Sequence, residues 1–198
     1  MSIVESQRTY FNQLAHAWNI QVPEEPRVKS LLSRFGISFG EWVLDVGAGT
    51  GRTTKWISQM VGDQGKVIAL DFAEAMLKEA KAMELFNGSL VCGDVHFLPF
   101  REACFDKIVC FSAFPHFSNK EKAIREMHRI LKPKGRCLIL HTLSHDRLNA
   151  FHASLEGPVR KDVLPSIDTA AQLFYRAGFY VEFSEESEDL YWLECIRP

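Results

Sequence analysis

The sequence predicts a single α/β domain: a Rossmann-like, seven-stranded, mostly parallel sheet with helices on both faces and a C-terminal antiparallel hairpin strand. Three observations carry this. From Trp42 onward short apolar runs alternate with longer amphipathic stretches, the rhythm of βα units. The 198 residues suffice for one full α/β core and are few for two. After Gly178 two strand-like runs follow each other with only an acidic turn between them, so the last connection is a hairpin and not a crossover.

The elements follow in order. Before Trp42, an amphipathic segment from Tyr10 to Ile20 and the linker "QVPEEPR" precede a helix near Val28 to Phe35, so residues 1–40 read as an N-terminal helical cap. Strands are expected at "WVLDV" (42–46), "KVIAL" (66–70), "SLVCG" (89–93), "FDKIVCF" (105–111) and "RCLILH" (136–141). Helices fall near Gly51 to Met60, Ala73 to Met83, Lys120 to Leu131 and Asp168 to Ala177. Residues 142–167 read as an insertion on the substrate side, and "FYVEFSE" and "LYWLECIR" form the hairpin across "ESED".

Composition narrows the function. A hydrophobic fraction of 46%, a charged fraction of 24% and a formal net charge of -2 describe a globular chain with no basic surplus for nucleic acid. The most basic stretch, Ile124 to Arg136, interleaves its charges with apolar residues at helical spacing and reads as one solvated helix face. The opening residues lack a basic segment followed by an apolar core, and no apolar run reaches bilayer length, so the expectation is a cytoplasmic protein without a membrane span. The five cysteines are scattered, with no CxxC pair, which points to neither a disulfide framework nor a zinc site; Cys92, Cys110, Cys137 and Cys195 are expected to be buried thiols.

The chemistry concentrates in "VLDVGAGTGRTT", Val43 to Thr54. Three glycines at alternate positions after a strand mark a turn whose backbone approaches a ligand outside the carboxyl ends of the strands. A GxGxxG dinucleotide fingerprint counted from Gly47 needs glycine where Arg52 stands, and GxxxxGK[ST] is missing as well, so both pyrophosphate readings weaken. The spacing suits a ligand with a charged amino acid portion lying against bare backbone. Downstream, Asp71 ends the second strand where a carboxylate can accept from both hydroxyls of a ribose. Asp94, in "GDV" at 93–95, can accept from an exocyclic amine such as that of adenine, with Val95 and Phe72 covering the ring faces.

"VLDVGAGTG", "ALDFAEAML", "GDVHFLPF", "FDKIVCF" and "EMHRILKPKG" stand in the order and spacing of the class I S-adenosylmethionine-dependent methyltransferases, which the chain resembles from about Tyr10 to Arg197. The resemblance is to the small-molecule branch that includes the ubiquinone and menaquinone biosynthesis methyltransferases (methyltransferase type 11). Lys134 departs from it, standing where that branch has the first glycine of a Pro-Gly-Gly turn. The resemblance implies S-adenosyl-L-methionine as cofactor and S-adenosyl-L-homocysteine as product. Asp45, Gly47, Ala48, Gly49 and Gly51 would line the methionine portion, Asp71 would hold the ribose, and Gly93, Asp94 and Val95 would meet the adenine. Phe72 and Met76 would pack on the adenosine, with Phe111 and Ser112 beneath the sulfonium.

Methyl transfer from a sulfonium needs alignment of the nucleophile, exclusion of water and removal of any proton the nucleophile carries. His116 and His141 are the candidate bases, each following or closing a strand at the mouth. His145 and His152 share a face if "SHDRLNAFHASL" is helical, and with Tyr10, Phe11 and Trp18 of the N-terminal segment they are the candidate substrate contacts. No standard metal-ligand spacing is present, so no metal is expected. The loop Glu156 to Ser166 reads as a solvated connection or a pocket wall, and Phe97, Phe100, Phe114, Phe117 and Phe151 suggest a pocket for an apolar or aromatic molecule. The reading is methyl transfer to a small-molecule acceptor, with a non-catalytic cofactor-binding sensor or partner module as the alternative; a homodimer stays open.

Overall fold

The computed structural model describes residues 3–22, 25–82 and 88–198. Met83, at the end of one expected helix, and Pro23 and Glu24 of the linker lie outside the described residues. Fourteen elements follow in order: α1 (Ile3–Gln21), α2 (Pro26–Phe35), β1 (Trp42–Val46), α3 (Arg52–Val61), β2 (Lys66–Asp71), α4 (Glu74–Lys81), β3 (Gly88–Cys92), β4 (Phe105–Phe111), α5 (Lys120–Ile130), β5 (Leu131–His141), α6 (His145–Ser154), α7 (Ile167–Arg176), β6 (Tyr180–Ser187) and β7 (Leu190–Ile196). Single 3-10 turns form at Val95–Phe97, Phe114–His116 and Pro158–Lys161.

The seven strands lie in one sheet of order β3-β2-β1-β4-β5-β7-β6. β3, β2, β1, β4 and β5 pair in parallel, and β7 runs antiparallel to both β5 and β6. Strand order reverses between β1 and β4, and that switch point leaves a crevice at the carboxyl edge.

Both faces of the central strands are buried, which explains why they read as unbroken apolar runs and not as alternating ones. Leu44, Ile108, Ile139 and Leu193 point to one core, packed with Ile124 and Met127 of α5 and Phe174 of α7. Their sequence neighbours Val43, Val109, Leu138 and Trp192 point to the other, packed with Leu32 and Phe35 of α2 and Ile57 of α3. A third, smaller cluster joins Phe11 and Ala15 of α1 to Ala73, Met76 and Val159.

Three details depart from expectation. α1 begins at Ile3, well before Tyr10, because its inward stripe includes the buried polar Gln7, which interrupts the apolar pattern. β5 begins at Leu131, and Lys134 within it takes a left-handed φ of 65°, with its amide donating to the Arg197 carbonyl at 2.7 Å. The resembling branch has glycine at that place for a visible reason: the turn requires positive φ, and lysine adopts it at a cost. Cys92, expected to be buried, is exposed because β3 is the sheet's edge, whereas Cys110, Cys137 and Cys195 are buried. Among the described residues no helix is long and apolar enough to cross a membrane.

Candidate functional site

The crevice at the switch point opens into two adjoining cavities that share Trp18, Gly47, Gly49 and Ser112. The first has an empty volume of about 750 Å³, open solvent included, and is walled by the turns after β1, β2, β3 and β4 and by one face of α1. The second, about 690 Å³, runs from the same glycine turn past Thr50, Trp56 and Phe111 toward Glu25 and Val28.

The glycine turn is bare for two different reasons. At Gly47, φ is 72° and an added Cβ would stand 2.3 Å from the Ala113 Cβ, so the turn after β1 and the turn after β4 touch backbone to side chain. At Gly49, φ is 54° and an added Cβ would meet no protein atom within 4 Å, so a side chain there would fill the cavity itself. Such an open cradle fits a ligand that lies against main chain. Gly51 caps α3 and lines neither cavity.

Asp71 closes the turn from the next strand. Its Oδ2 accepts from the Gly49 amide and its Oδ1 from the Ala73 amide, both at 2.8 Å. Each carboxylate oxygen has a second lone pair, and Asp71 lines the cavity, so both remain available to a diol. Burial pushes its pKa up, against the pull of the backbone hydrogen bonds and of nearby His116. Phe72, Met76, Gly93, Asp94 and Val95 line the same wall.

Asp94 is held by a residue the sequence analysis passed over. Its Oδ1 accepts from both the backbone amide and the ring Nδ1 of His96, while His96 Nε2 accepts from the Asn119 amide at 3.1 Å. These bonds assign the proton of neutral His96 to Nδ1 and leave the second oxygen of Asp94 for the cavity. Ser112 takes a left-handed φ of 56° while its amide donates to the Leu140 carbonyl, which turns the chain sharply after β4 and under the shared rim of the two cavities.

Asp45 stands behind the turn and lines neither cavity. Its Oδ2 accepts from the Thr54 hydroxyl at 2.6 Å and its Oδ1 is buried without a partner. Burial drives its pKa up to about 7. Its local task is to fasten the start of α3 to β1.

α1 closes the cleft and is fastened to it by buried and half-buried polar contacts. Asn12 Oδ1 accepts from the Ala75 amide at the start of α4, Asn19 Oδ1 accepts from the Thr50 hydroxyl, and Gln7 Nε2 donates to both oxygens of Asp162. Phe11 and Trp18 line the cavity; Tyr10 does not, packing instead against Phe11 and beside Gly157.

The four histidines separate. His116 lines the cavity, and its Nδ1 lies 2.7 Å from Asp162 Oδ2. His152 is buried next to it, ring centroids 5.3 Å apart, with Nδ1 donating to the Asp162 backbone carbonyl. His141 is buried deeper, edge-on to Tyr191, with Nε2 unpartnered; burial and the two neighbouring imidazoles push its pKa down to about 3. His145 turns away, its Nδ1 2.6 Å from Glu186 Oε1. Of the phenylalanines, Phe117 lines the cavity, Phe114 is core, Phe100 packs against that core, and Phe97 and Phe151 are exposed. Among the described residues no group of three or more His, Cys, Asp or Glu is arranged to hold a metal ion.

A parallel sheet with this crevice and a bare glycine turn answered by a carboxylate on each of the next two strands suits a ligand with a nucleoside portion. Residues 44–139 match the Methyltransferase domain family. The chain is 40% identical over 112 residues to the ubiquinone/menaquinone biosynthesis C-methyltransferase UbiE of Escherichia fergusonii, covering 53% of this chain and 44% of that protein. To the enzyme of the same name from Vibrio campbellii it is 41% identical over 108 residues, covering 51% of this chain and 41% of that one. It thus spans under half the length of these relatives. A S-adenosylmethionine-dependent methyltransferase from Aquifex aeolicus shares the fold, with a TM-score of 0.75 at 22% identity over 96% of this chain and 98% of the other. So does a TehB-like methyltransferase from Corynebacterium glutamicum, at 0.70 and 16% over 98% and 100%. By these matches the chain is similar to the class I S-adenosylmethionine-dependent methyltransferases of the ubiquinone/menaquinone-biosynthesis-like branch, and the matched residues 44–139 contain the glycine turn, Asp71, Asp94 and His116.

Proposed function

We propose that the chain transfers a methyl group from S-adenosylmethionine to a small, largely apolar acceptor in the cytoplasm. The observation that carries the reading is the convergence of three successive βα turns on one wall: bare backbone at Gly47 and Gly49, Asp71 after β2, and Asp94 after β3.

Asp71 would take the two ribose hydroxyls on its free lone pairs. Asp94, aligned by His96, would accept from the adenine amine, with Val95, Phe72 and Met76 against the adenosine. Gly47, Ala48 and Gly49 leave room for the amino acid portion, which extends into the second cavity, and Phe111 and Ser112 flank the reacting centre. Asp45 and Gly51 act on the turn from behind. When bound, the cofactor supplies an electrophilic methyl group; the chain's own residues orient the acceptor, exclude water and take up its proton.

Size and polarity support a small acceptor. Among the described residues no lysine or arginine lines the cavity that holds His116, which speaks against a phosphate backbone or a carboxylate-rich substrate. His116 is the base this reading assigns, because it lines the cavity; His141 has no access to it, and His152 supports His116 from behind. The test is calorimetry with S-adenosylhomocysteine followed by label transfer from methyl-labelled S-adenosylmethionine to a metabolite extract. Binding with transfer supports an enzyme; binding with none across broad extracts points to a sensor or partner module.

A further inference from the structure

Asp162 lies in the loop before α7, far along the chain from the glycine turn, and yet it is the most heavily engaged carboxylate on the cavity's far side. Its Oδ2 is 2.7 Å from His116 Nδ1, and both of its oxygens accept from the Gln7 amide at 2.8 Å. Its backbone is fixed as well: the amide donates to the Val159 carbonyl, and the carbonyl accepts from His152. A carboxylate only accepts, so the His116 proton facing it is on Nδ1, and Nε2 carries the lone pair.

The ring is held from every other side. Phe11 meets it edge-on at 5.1 Å and His152 flanks it at 5.3 Å. The His116 amide donates to the Ala113 carbonyl, and the Lys120 ammonium donates to the carbonyls of Pro115 and Phe117 on either side of it. Among the described residues Nε2 has no hydrogen-bond partner, and the side chain lines the cavity.

We propose that His116 is the general base of the transfer, with Asp162 and Gln7 as its positioning residues, and that the acceptor it serves is a neutral hydroxyl attached to an apolar body. This rests on the methyltransferase reading above. In the step, the acceptor's O–H proton passes to His116 Nε2, the freed oxygen pair forms the O–CH3 bond, and the C–S bond breaks with its electrons left on sulfur. The products are a methyl ether, S-adenosylhomocysteine and an imidazolium stabilised by Asp162. The aromatic and aliphatic lining, with Phe11, Trp18, Phe117 and Val4, suits the apolar body. An ammonium acceptor would lack a carboxylate free of other duties here, since Asp71 and Asp94 belong to the cofactor wall and Asp162 is taken by His116 and Gln7. Because Gln7 belongs to α1, the base is aligned only when that helix is docked.

The experiment uses the full chain and two readouts. The first is proton NMR of the cofactor-free protein: the Nδ1 proton of His116, donated to a carboxylate, should appear as a low-field imidazole resonance, be absent in His116→Gln and Asp162→Ala, and weaken in Gln7→Ala. The second is methyl transfer to a graded pair of probes, neutral para-cresol and the largely ionised para-nitrophenol, near pH 8. His116→Gln should lose ~100-fold or more on cresol and less than ~10-fold on nitrophenol, with affinity for S-adenosylhomocysteine within about 3-fold of the wild type, in line with the usual range for a general base. Equal losses on both probes, or a His116 proton on Nε2, would overturn the assignment of the base. Intact cofactor binding with transfer to neither phenol would overturn the hydroxyl acceptor and leave the methyltransferase reading standing. Absence of cofactor binding would sink that reading itself.

Discussion

The two sides of the cleft are built in opposite ways. The wall proposed for the cofactor is made from consecutive βα turns, its key bond joins residues only 22 apart (Gly49 to Asp71), and backbone groups supply much of its surface. The side proposed for the acceptor is assembled from α1, the turn after β4 and the loop before α7, and its central carboxylate is reached across 155 residues by Gln7 and 46 by His116. A wall built from local turns is set once the sheet forms. A wall assembled from distant segments needs the tertiary structure complete, and its side chains can change without disturbing the cofactor.

Damage to the first wall should therefore strike affinity and folding together. The largest effect is expected from Gly47→Ala, where a left-handed residue would gain a Cβ 2.3 Å from that of Ala113. Strain plus overpacking should cost about 3 kcal/mol or more of stability, read by denaturant unfolding, and S-adenosylhomocysteine binding should vanish in calorimetry. A stable, ligand-binding variant would show that the turn tolerates a wider spacing. Asp71→Ala comes next: two backbone amides lose their acceptor and the ribose loses its partner, for about 2 to 4 kcal/mol of binding free energy. Unchanged affinity would remove Asp71 from the ribose site.

The contrast also has an acid–base form, in which the two sides push stability in opposite directions. His141 has its pKa depressed to about 3, so below the ordinary value of 6.5 the unfolded chain binds a proton that the folded one refuses, and stability falls on acidification. Asp45 has its pKa raised to about 7, so between the ordinary 3.8 and that value the folded chain keeps a proton the unfolded one has lost. Its contribution grows as pH falls. Each should be worth about 2 to 3 kcal/mol between pH 7 and pH 4.5. Relative to the wild type, His141→Phe should tilt the stability profile toward acid and Asp45→Asn toward neutral pH, measured by urea unfolding at the two values. Parallel profiles in all three proteins would refute both assignments.

The smallest effect should be a gain. Lys134→Gly frees a left-handed position of its Cβ, and after the added entropy of the unfolded chain about 0.5 to 1 kcal/mol of stabilisation should remain. Cofactor affinity should not change, because the turn lies at the opposite end of β5 from the cleft.

The same contrast governs what was legible in the sequence. β1 and β4 stand where their apolar runs end, and the glycines, Asp71 and Asp94 line the cavity or its turn, because local chemistry writes such features directly into neighbouring letters. On the acceptor side Phe11, Trp18 and Phe117 line the cavity, as their residue types suggest, and the polar groups are legible only through the histidines. His116 is there, but His145 turns to Glu186 and His141 is sealed against Tyr191, since helical spacing gives a shared face and not what lies opposite it. Asp162 sits in the loop that reads as a connection or a pocket wall with no residue singled out for a bond to His116, and Gln7 is a polar residue on the buried stripe of α1. That polar interruption was the available signal: a glutamine where a helix otherwise buries apolar groups needs a partner. His96 was hidden by its own proximity to Asp94.

The position of β7 also bears on biosynthesis. It fills the slot between β5 and β6 but follows both in the sequence, with Tyr191, Trp192 and Leu193 wholly or almost wholly buried. A nascent polypeptide that has already emerged through β6 therefore holds that strand with nothing to pair with, and β5 keeps an uncovered border, until the residues after Leu190 leave the ribosome. Truncation within this strand would unmoor β6 as well and expose two sticky borders instead of one, so premature termination here should yield aggregate and not a slightly shorter enzyme.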